Sequence, residues 1–521
     1  MGLTVRDATL DFLRRRDLTS IFSNPGSTEV PFLSDLPDDL RFVLGLHEGA
    51  VVSMASGYAL ARRRPSFVLL HTTAGFGNAV NAISTARVNR TPLVIVVGQQ
   101  DRRHIQFEPF LAGKLRGLAG DYPVWFEEPA RAQNVVGALE RAYHEAETRR
   151  GPAVVVVPMG DWLEPAGEPH EVAAPARVLR PATFDEEAVG ALADLLERAE
   201  RPALVAGARM DTEEKWAALV TLAESLGAPV YQEAFSGQAG FPQDHRQWAG
   251  LLPFDRPRLR ETLAPYDLVL AVGAPVLRQS PYHEGPFALR ARFAVVTDDP
   301  DEAHRSAVDL AVLASPAAVC SALAARVTRP ASTQFTRPRW PDPAPGKAGE
   351  VLRALGERVP EDVVLVEECP SNQVELTYRI PARRPLGFVS AAMGGLGWGL
   401  SAAIGLRMGL PNRPVVAVVG DGSTLFGIHG LWTAAHYRVG VLFVVLKNGG
   451  YRIMDQLAAG AGGAGPWPSF GEVDIAAIAR GFGCDARRVD VADAAAALRE
   501  VVPTLRDRDT PLLLEIDVEP D

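Results

Sequence analysis

Short apolar runs alternate with longer segments of Ala, Leu and Arg at helical spacing along nearly the whole chain. Runs that read as strands include Ser66–Leu70, Leu93–Val97, Ala153–Val157, Leu268–Val272, Val415–Val419, Val441–Leu446 and Leu512–Ile516. Near-continuous Val, Ile and Leu without polar alternation suits strands covered on both faces, which predicts parallel sheets between helical layers. The opening segment, with acids and arginines in every turn, predicts an amphipathic helix capped near Thr4. Two stretches break the pattern. Residues 164–181 are rich in Pro, Glu and Ala, and residues 328–349 are richer still in proline, which supports neither a ladder nor a helix interior. They read as linkers between three α/β domains, residues 1–165, 182–327 and 345–521.

The first and third domains echo one another. F-V-L-L-H-T-T-A-G-F-G-N-A from Phe67 is followed by P-L-V-I-V-V-G from Pro92. F-V-S-A-A-M-G-G-L-G-W-G from Phe388 is followed by P-V-V-A-V-V-G from Pro414. Each is a strand, a Gly-rich turn, an Ala-rich helix and a second strand, which suggests a duplicated sheet flanking a middle domain.

Composition narrows the function more than the fold. At 521 residues, 47% apolar and 22% charged, the chain is an ordinary globular one and too long for a single core. A net charge of −10 disfavours nucleic acid as a partner. Neither a signal-peptide core nor an uncharged apolar run of membrane-spanning length is present, so a cytoplasmic location away from membranes is expected. Cys320, Cys369 and Cys484 lie far apart, which argues against a zinc cluster or a disulfide framework.

The chemistry concentrates where apolar runs stop. G-D-G-S places Asp421 between two glycines after one strand, and K-N-G-G-Y places Asn448 after the next, 27 residues on (448 − 421). One strand–turn–helix–strand unit of about 30 residues brings successive strand ends together, so Asp421 and Asn448 should meet at one sheet edge. A carboxylate, an amide carbonyl and a backbone carbonyl form a hard-oxygen set suited to Mg²⁺. Gly422, Ser423 and Gly449 can offer N–H and O–H groups to phosphate. Glu48, after an apolar run and opening a helix of small residues, supplies a carboxylate elsewhere in the chain.

This spacing resembles the thiamine-diphosphate motif that begins G-D-G and ends in a doubled Asn, with Lys447 in place of the first Asn. F-S-N-P-G-S-T-E-V-P-F-L, L-H-E-G-A, L-H-T-T-A-G-F-G-N-A, V-G-A-P-V-L-R, G-G-L-G-W-G-L and L-W-T-A-A-H-Y extend the resemblance over almost the entire chain, towards benzoylformate decarboxylase and the acetolactate-synthase-like group. The resemblance implies three doubly wound parallel-sheet domains: pyrimidine, middle pseudo-Rossmann and diphosphate. It implies homodimers or homotetramers with active sites between subunits, thiamine diphosphate and Mg²⁺ as cofactors, and a small 2-oxo acid as substrate. By the same resemblance Asp421, Asn448 and the Gly450 carbonyl hold Mg²⁺. Glu48 touches N1′ of the aminopyrimidine, Gly394 accepts from its 4′-amino group, and Leu396 wedges beneath the cofactor. Asn24, Pro25, Asn78, Ser371, Gly422, Ser423, Gly449, Tyr451 and Ile453 complete the cofactor contacts. Ser27 would bind the substrate carboxylate and His71 would relay protons.

Several positions depart from the family. Pro370 replaces a hydroxyl residue. Ser280 stands where a second catalytic histidine is expected, with His283 three residues on as a substitute or an ordinary loop histidine. Ser390 and Leu457 replace bulky aromatics, which implies a differently shaped substrate pocket. His47 reads as structural. G-A-G-G-A-G at 460–465 matches a dinucleotide pattern without its strand-and-helix context, and reads instead as a mobile flap near the active site. The middle domain is expected to be flavin-free. The implied reaction is decarboxylation of a 2-oxo acid to an aldehyde. Rivals are a carboligase of the same fold and a silent cofactor-binding relative, for which Lys447 and Pro370 would count.

Overall fold

A computed structural model describes residues 2–167, 183–276, 278–284, 290–328 and 335–519. Most of the 164–181 linker and part of the 328–349 linker lie outside the described residues. Every strand expected from an apolar run is present, several longer by a residue or two; Leu93–Gln99 and Pro152–Pro158 are buried throughout. The first helix is Val5–Arg15, and Thr4 accepts the Asp7 N–H at 3.1 Å while Asp7 accepts that of Thr4, a reciprocal capping box.

Three six-stranded parallel sheets result, flanked by helices. The first contains Ser20–Asn24, Arg41–Leu44, Ser66–Leu70, Leu93–Gln99, Trp125–Glu127 and Pro152–Pro158. The second contains Pro202–Ala206, Val230–Gln232, Trp248–Leu251, Leu268–Val272, Arg292–Thr297 and Leu310–Leu313. The third contains Val364–Glu368, Val389–Ser390, Val415–Gly420, Leu442–Lys447, Asp485–Asp490 and Leu512–Asp517. With strands numbered within each sheet by chain order, the first and third sheets both run 2-1-3-4-6-5. The middle sheet runs 6-5-4-1-2-3, the doubly wound order of a nucleotide-binding fold.

The shared order bears out the duplication but shifts its register. The strand at Phe67 is third in its sheet and the strand at Phe388 is second in its own, so those two segments are not counterparts. The counterpart of Ser66–Leu70 is Val415–Gly420. Every strand–turn–helix unit carries the same apolar and glycine punctuation, so a pattern match slips easily by one unit.

The chain divides into two compact units. Met1–Arg177, Val366–Pro370 and Ala391–Pro520 form one; Val178–Leu365 and Ser371–Ser390 form the other. Within the first unit, helix Glu48–Arg62 packs on helix Trp398–Gly409 with backbones nearly touching. A Cβ on Gly57 would sit 2.0 Å from the Ala402 carbonyl oxygen, and one on Gly405 would sit 1.8 Å from that of Met54. That approach explains the small residues of the helix that begins with Glu48. Among the described residues no helix is long and apolar enough to cross a membrane, and the three cysteines are buried and free.

Candidate active site

Two groups of side chains gather at strand ends in the first unit. Glu48 is the first residue of its helix. His47 caps that helix by accepting the Gly49 N–H at 3.0 Å, a structural role, and its ring stacks on His429. Only 6% exposed, Glu48 accepts from Asn24 Nδ2 at 3.0 Å on one oxygen and from Asn78 Nδ2 at 3.0 Å on the other. Strand Ser20–Asn24 and helix Thr72–Asn78 supply those amides, so three separate elements fix one carboxylate.

His71 follows strand Ser66–Leu70. Its Nδ1 lies 3.0 Å from Glu29 Oε2 and 3.0 Å from Thr28 Oγ1. Glu29 is fully buried and also accepts the Gly26 N–H at 2.7 Å and the Thr28 hydroxyl at 2.5 Å. A carboxylate on Nδ1 places that ring proton there and leaves Nε2 as the exchanging nitrogen. Thr72, next in the chain, adopts φ +33° and buries its hydroxyl without a partner, local strain of the kind found at functional sites. Glu29 and Thr28 escaped the sequence reading. Their signal was an acid three residues after Gly26, ahead of the apolar V-P-F-L turn. Pro25 and Ser27 are exposed in the same turn.

Strands Val415–Gly420 and Leu442–Lys447 are parallel neighbours with Gly420 opposite Leu446, so Asp421 and Asn448 emerge at one edge. Asp421 is 3% exposed. Its carboxylate accepts from Gly449 N–H at 2.7 Å, Gly422 N–H at 2.9 Å and the Asn448 N–H. Burial pushes this carboxyl up, and those amides pull it back. In this structure Gly422 and Gly449 thus direct to Asp421 the N–H groups expected at phosphate. Asn448 Oδ1 accepts from Gly450 N–H at 3.2 Å. Gly449 has φ +77°, and a Cβ there would meet Gly471 Cα at 3.3 Å. One carboxylate, one amide oxygen and one backbone carbonyl on adjoining turns fit a hard divalent cation that takes its remaining ligands from water and phosphate.

The turn carrying Gly394 and Leu396 is held by a group absent from the sequence reading. Glu368, buried at the end of its strand, accepts N–H from Gly397 at 2.5 Å and from Gly399, and bonds the Ser423 hydroxyl. Burial, opposed by those amides, raises its carboxyl to about 8. Gly394 has φ +73°, and the Leu396 carbonyl accepts from Asn81 at 3.4 Å. Helix Arg452–Gly460 buries none of its residues, and Met454 and Leu457 are among the exposed large apolar side chains. Tyr451 precedes it and Ile453 lies in its first turn. The 460–465 glycine run begins at the end of that helix and follows no strand.

Ser371 and His283 belong to the second unit. Ser371 precedes helix Gln373–Arg379. His283 Nδ1 lies 2.9 Å from the Pro281 carbonyl of its own loop, whose base is tied by Arg278 Nε to buried Glu233 at 3.0 Å. Ser390 is buried, its N–H donated to Gly237.

The chain matches the models of the thiamine pyrophosphate enzyme N-terminal binding domain over residues 3–118, the central domain over 189–323, and the C-terminal binding domain over 371–516. It belongs to the thiamine pyrophosphate enzyme family. Within that family it falls with the decarboxylases that include benzoylformate decarboxylase. It is 37% identical to benzoylformate decarboxylase of Pseudomonas aeruginosa, with 99% of each chain covered. A solved thiamine diphosphate-dependent 4-hydroxybenzoylformate decarboxylase of Rhodococcus jostii superposes with a TM-score of 0.93 at 33% identity over 100% of both chains. An acetolactate synthase large subunit of Parasynechococcus marenigrum is 27% identical, covering 96% of this chain and 86% of that one.

Proposed function

We propose that this chain catalyses the non-oxidative decarboxylation of a 2-oxo acid of benzoylformate type to an aldehyde and CO₂, with thiamine diphosphate and Mg²⁺. The observation that carries the reading is the pair of built half-sites: Glu48 buried between two amides, and Asp421 with Asn448 on adjoining turns. When bound, thiamine diphosphate supplies a nucleophilic carbon and an electron sink for the departing carboxylate. Asp421, Asn448 and the Gly450 carbonyl would hold Mg²⁺ and, through it, the diphosphate. Glu48 would hold a proton at N1′, Gly394 would accept from the 4′-amino group, and Leu396 would keep the cofactor bent. Ser371, Ser423, Asn24, Pro25, Asn78, Tyr451 and Ile453 would line the cofactor. Ser27 would orient the substrate carboxylate, and His71 would move a proton at Nε2 with Glu29 bracing the opposite nitrogen.

Large exposed apolar side chains in the first unit, Phe107 at 71%, Phe110 at 88% and Phe426 at 56%, support an assembly of at least two copies. We infer a homodimer or homotetramer with sites shared between subunits, which sedimentation of the purified chain tests.

A second reading, a carboligase that joins the bound acyl fragment to an acceptor, is favoured by Ser280 at the position of the family histidine. The His283 ring is engaged by its own loop. The deciding experiment is CO₂ release from aryl and branched 2-oxo acids with cofactor and Mg²⁺, with and without an acceptor aldehyde. Release that depends on Glu48 supports the decarboxylase. Consumption of acid only when an acceptor is present would overturn it in favour of the carboligase.

A further inference from the structure

Lys447 stands beside Asn448, yet its side chain runs into the protein. Its amine is 5% exposed, 2.7 Å from Glu515 Oε1 and 2.6 Å from the Val473 carbonyl. Glu515 is wholly buried on the interior strand Leu512–Asp517, next to the edge of its sheet, and its other oxygen accepts the Ala476 N–H at 2.7 Å. One ion pair thus joins the end of strand Leu442–Lys447 to the start of helix Ile475–Gly481.

The segment just before that helix returns to the same loop from the other side. The Gly449 carbonyl accepts from Ser469 Oγ at 2.6 Å and from Phe470 N–H at 3.0 Å. The Phe470 ring packs edge-on against Tyr451 at 5.0 Å, and Gly471 lies against Gly449. Residues 469–473 therefore form a strap whose two ends are fastened to the loop 447–451. Lys447 fastens one end, and Ser469 with Phe470 fastens the other.

Resting on the thiamine-diphosphate reading above, we propose that Lys447, with Glu515, is a positioning residue that clamps this strap and so fixes the backbone that presents Asn448 and Gly450 to the metal and diphosphate. Lys447 faces away from those ligands, so its effect passes through the strap. A lysine and a glutamate taken out of water together need their charges paired and further hydrogen bonds, and here the amine has a second acceptor in the Val473 carbonyl and the carboxylate a second donor in the Ala476 N–H. Removing the amine alone would leave Glu515 buried and unpaired. Removing both charges would relieve that penalty but leave the strap unfastened at Val473.

This separation defines the test. Thiamine diphosphate binding in Mg²⁺ is measured by calorimetry on the full chain, beside the melting temperature without cofactor, for wild type, Lys447→Met and Lys447→Met/Glu515→Leu. Lys447→Met is expected to lower the cofactor-free melting temperature. It should also weaken cofactor binding by about 10- to 100-fold, the range for groups that orient metal ligands from behind. The double variant should recover part of the melting temperature, the Ala476 N–H and Val473 carbonyl still lacking these partners, while cofactor binding stays weak. Binding that recovers along with the melting temperature in the double variant, or that stays within about twofold of wild type in either variant, overturns the proposal, since a factor of two falls well short of that range. Wild type that fails to bind thiamine diphosphate would overturn the functional reading and this inference with it. Tight wild-type binding with unchanged variants would overturn this inference alone.

Discussion

The first and third sheets share one strand order but equip the same turns with opposite chemistry. After the third strand, the first sheet carries His71 and the third sheet carries Asp421. After the second strand, one carries Glu48 and the other the glycine turn of Gly394 and Leu396. The first sheet holds its polar side chains by hydrogen bonds with neighbouring side chains: Asn24 and Asn78 donate to Glu48, and Glu29 accepts from His71. The third sheet holds its carboxylate with backbone amides, three of them on Asp421. Side-chain partners let a group keep a specific protonation geometry, whereas convergent amides suit a site that gathers charge from a metal and phosphates. On the proposed function, a common fold supports two tasks by changing which groups make the hydrogen bonds.

If this division is right, substitutions on the two sheets should fail differently. The largest effect on cofactor retention is expected for Asp421→Ala. Loss of a direct metal ligand should weaken thiamine diphosphate binding by more than the roughly 100-fold found for groups one step removed from a metal. Calorimetry with Mg²⁺ would measure it, and near-normal binding would refute the metal assignment. Glu48→Gln should instead bind cofactor within severalfold of wild type while turnover falls by roughly 100- to 10,000-fold, the usual contribution of a placed acid or base. Parallel loss of binding in Glu48→Gln would erase the contrast between the sheets.

Much of this arrangement was legible in the sequence because it follows from short-range pattern. Asp421 and Asn448 stand at the ends of adjacent apolar runs, and one β–α–β unit dictates that they meet. Glu48 was legible because a carboxylate at the head of a small-residue helix is conspicuous. What sequence could not show was which groups brace these residues across long separations. Glu29 reaches His71 over 42 positions, and Glu515 reaches Lys447 over 68. Lys447 looked like a missing cofactor residue, yet the structure uses it in a buried pair. The duplicated register slipped for a related reason: strand order is decided by tertiary pairing, while the pattern within each unit repeats.

A smaller effect should come from the brace behind His71. Glu29→Gln keeps the side chain's size but can no longer act as an anionic acceptor for Nδ1. Turnover is expected to fall by less than the roughly 100-fold lower bound for losing the acid–base group itself. The loss is expected because the ring is no longer held at Nδ1 by the carboxylate that orients it. Cofactor affinity should not follow, since Glu29 lies on the side-chain-organised sheet. Unchanged turnover with weakened cofactor binding would place Glu29 with the wrong half of the site.

An effect confined to stability sets Glu368 apart from the other carboxylates of the third sheet. Its carboxyl is raised from 4.5 to about 8 in the fold, chiefly by burial. The folded state therefore binds its proton more tightly than the unfolded chain does. The stability this contributes is fully present below pH 4.5 and is lost as pH rises through about 8. Glu368→Gln carries a permanently neutral group. It loses one of the two acceptors used by Gly397 and Gly399, which lowers stability by an amount independent of pH. Melting curves without cofactor should show wild type losing ground to the variant steadily from pH 4.5 to 8, with the difference constant above that range. A gap that stays flat across the interval would mean that the amides of Gly397 and Gly399 and the Ser423 hydroxyl hold Glu368 ionised throughout. Its clamp on the Gly394–Leu396 turn would then be anionic, of the same kind as the one Asp421 makes.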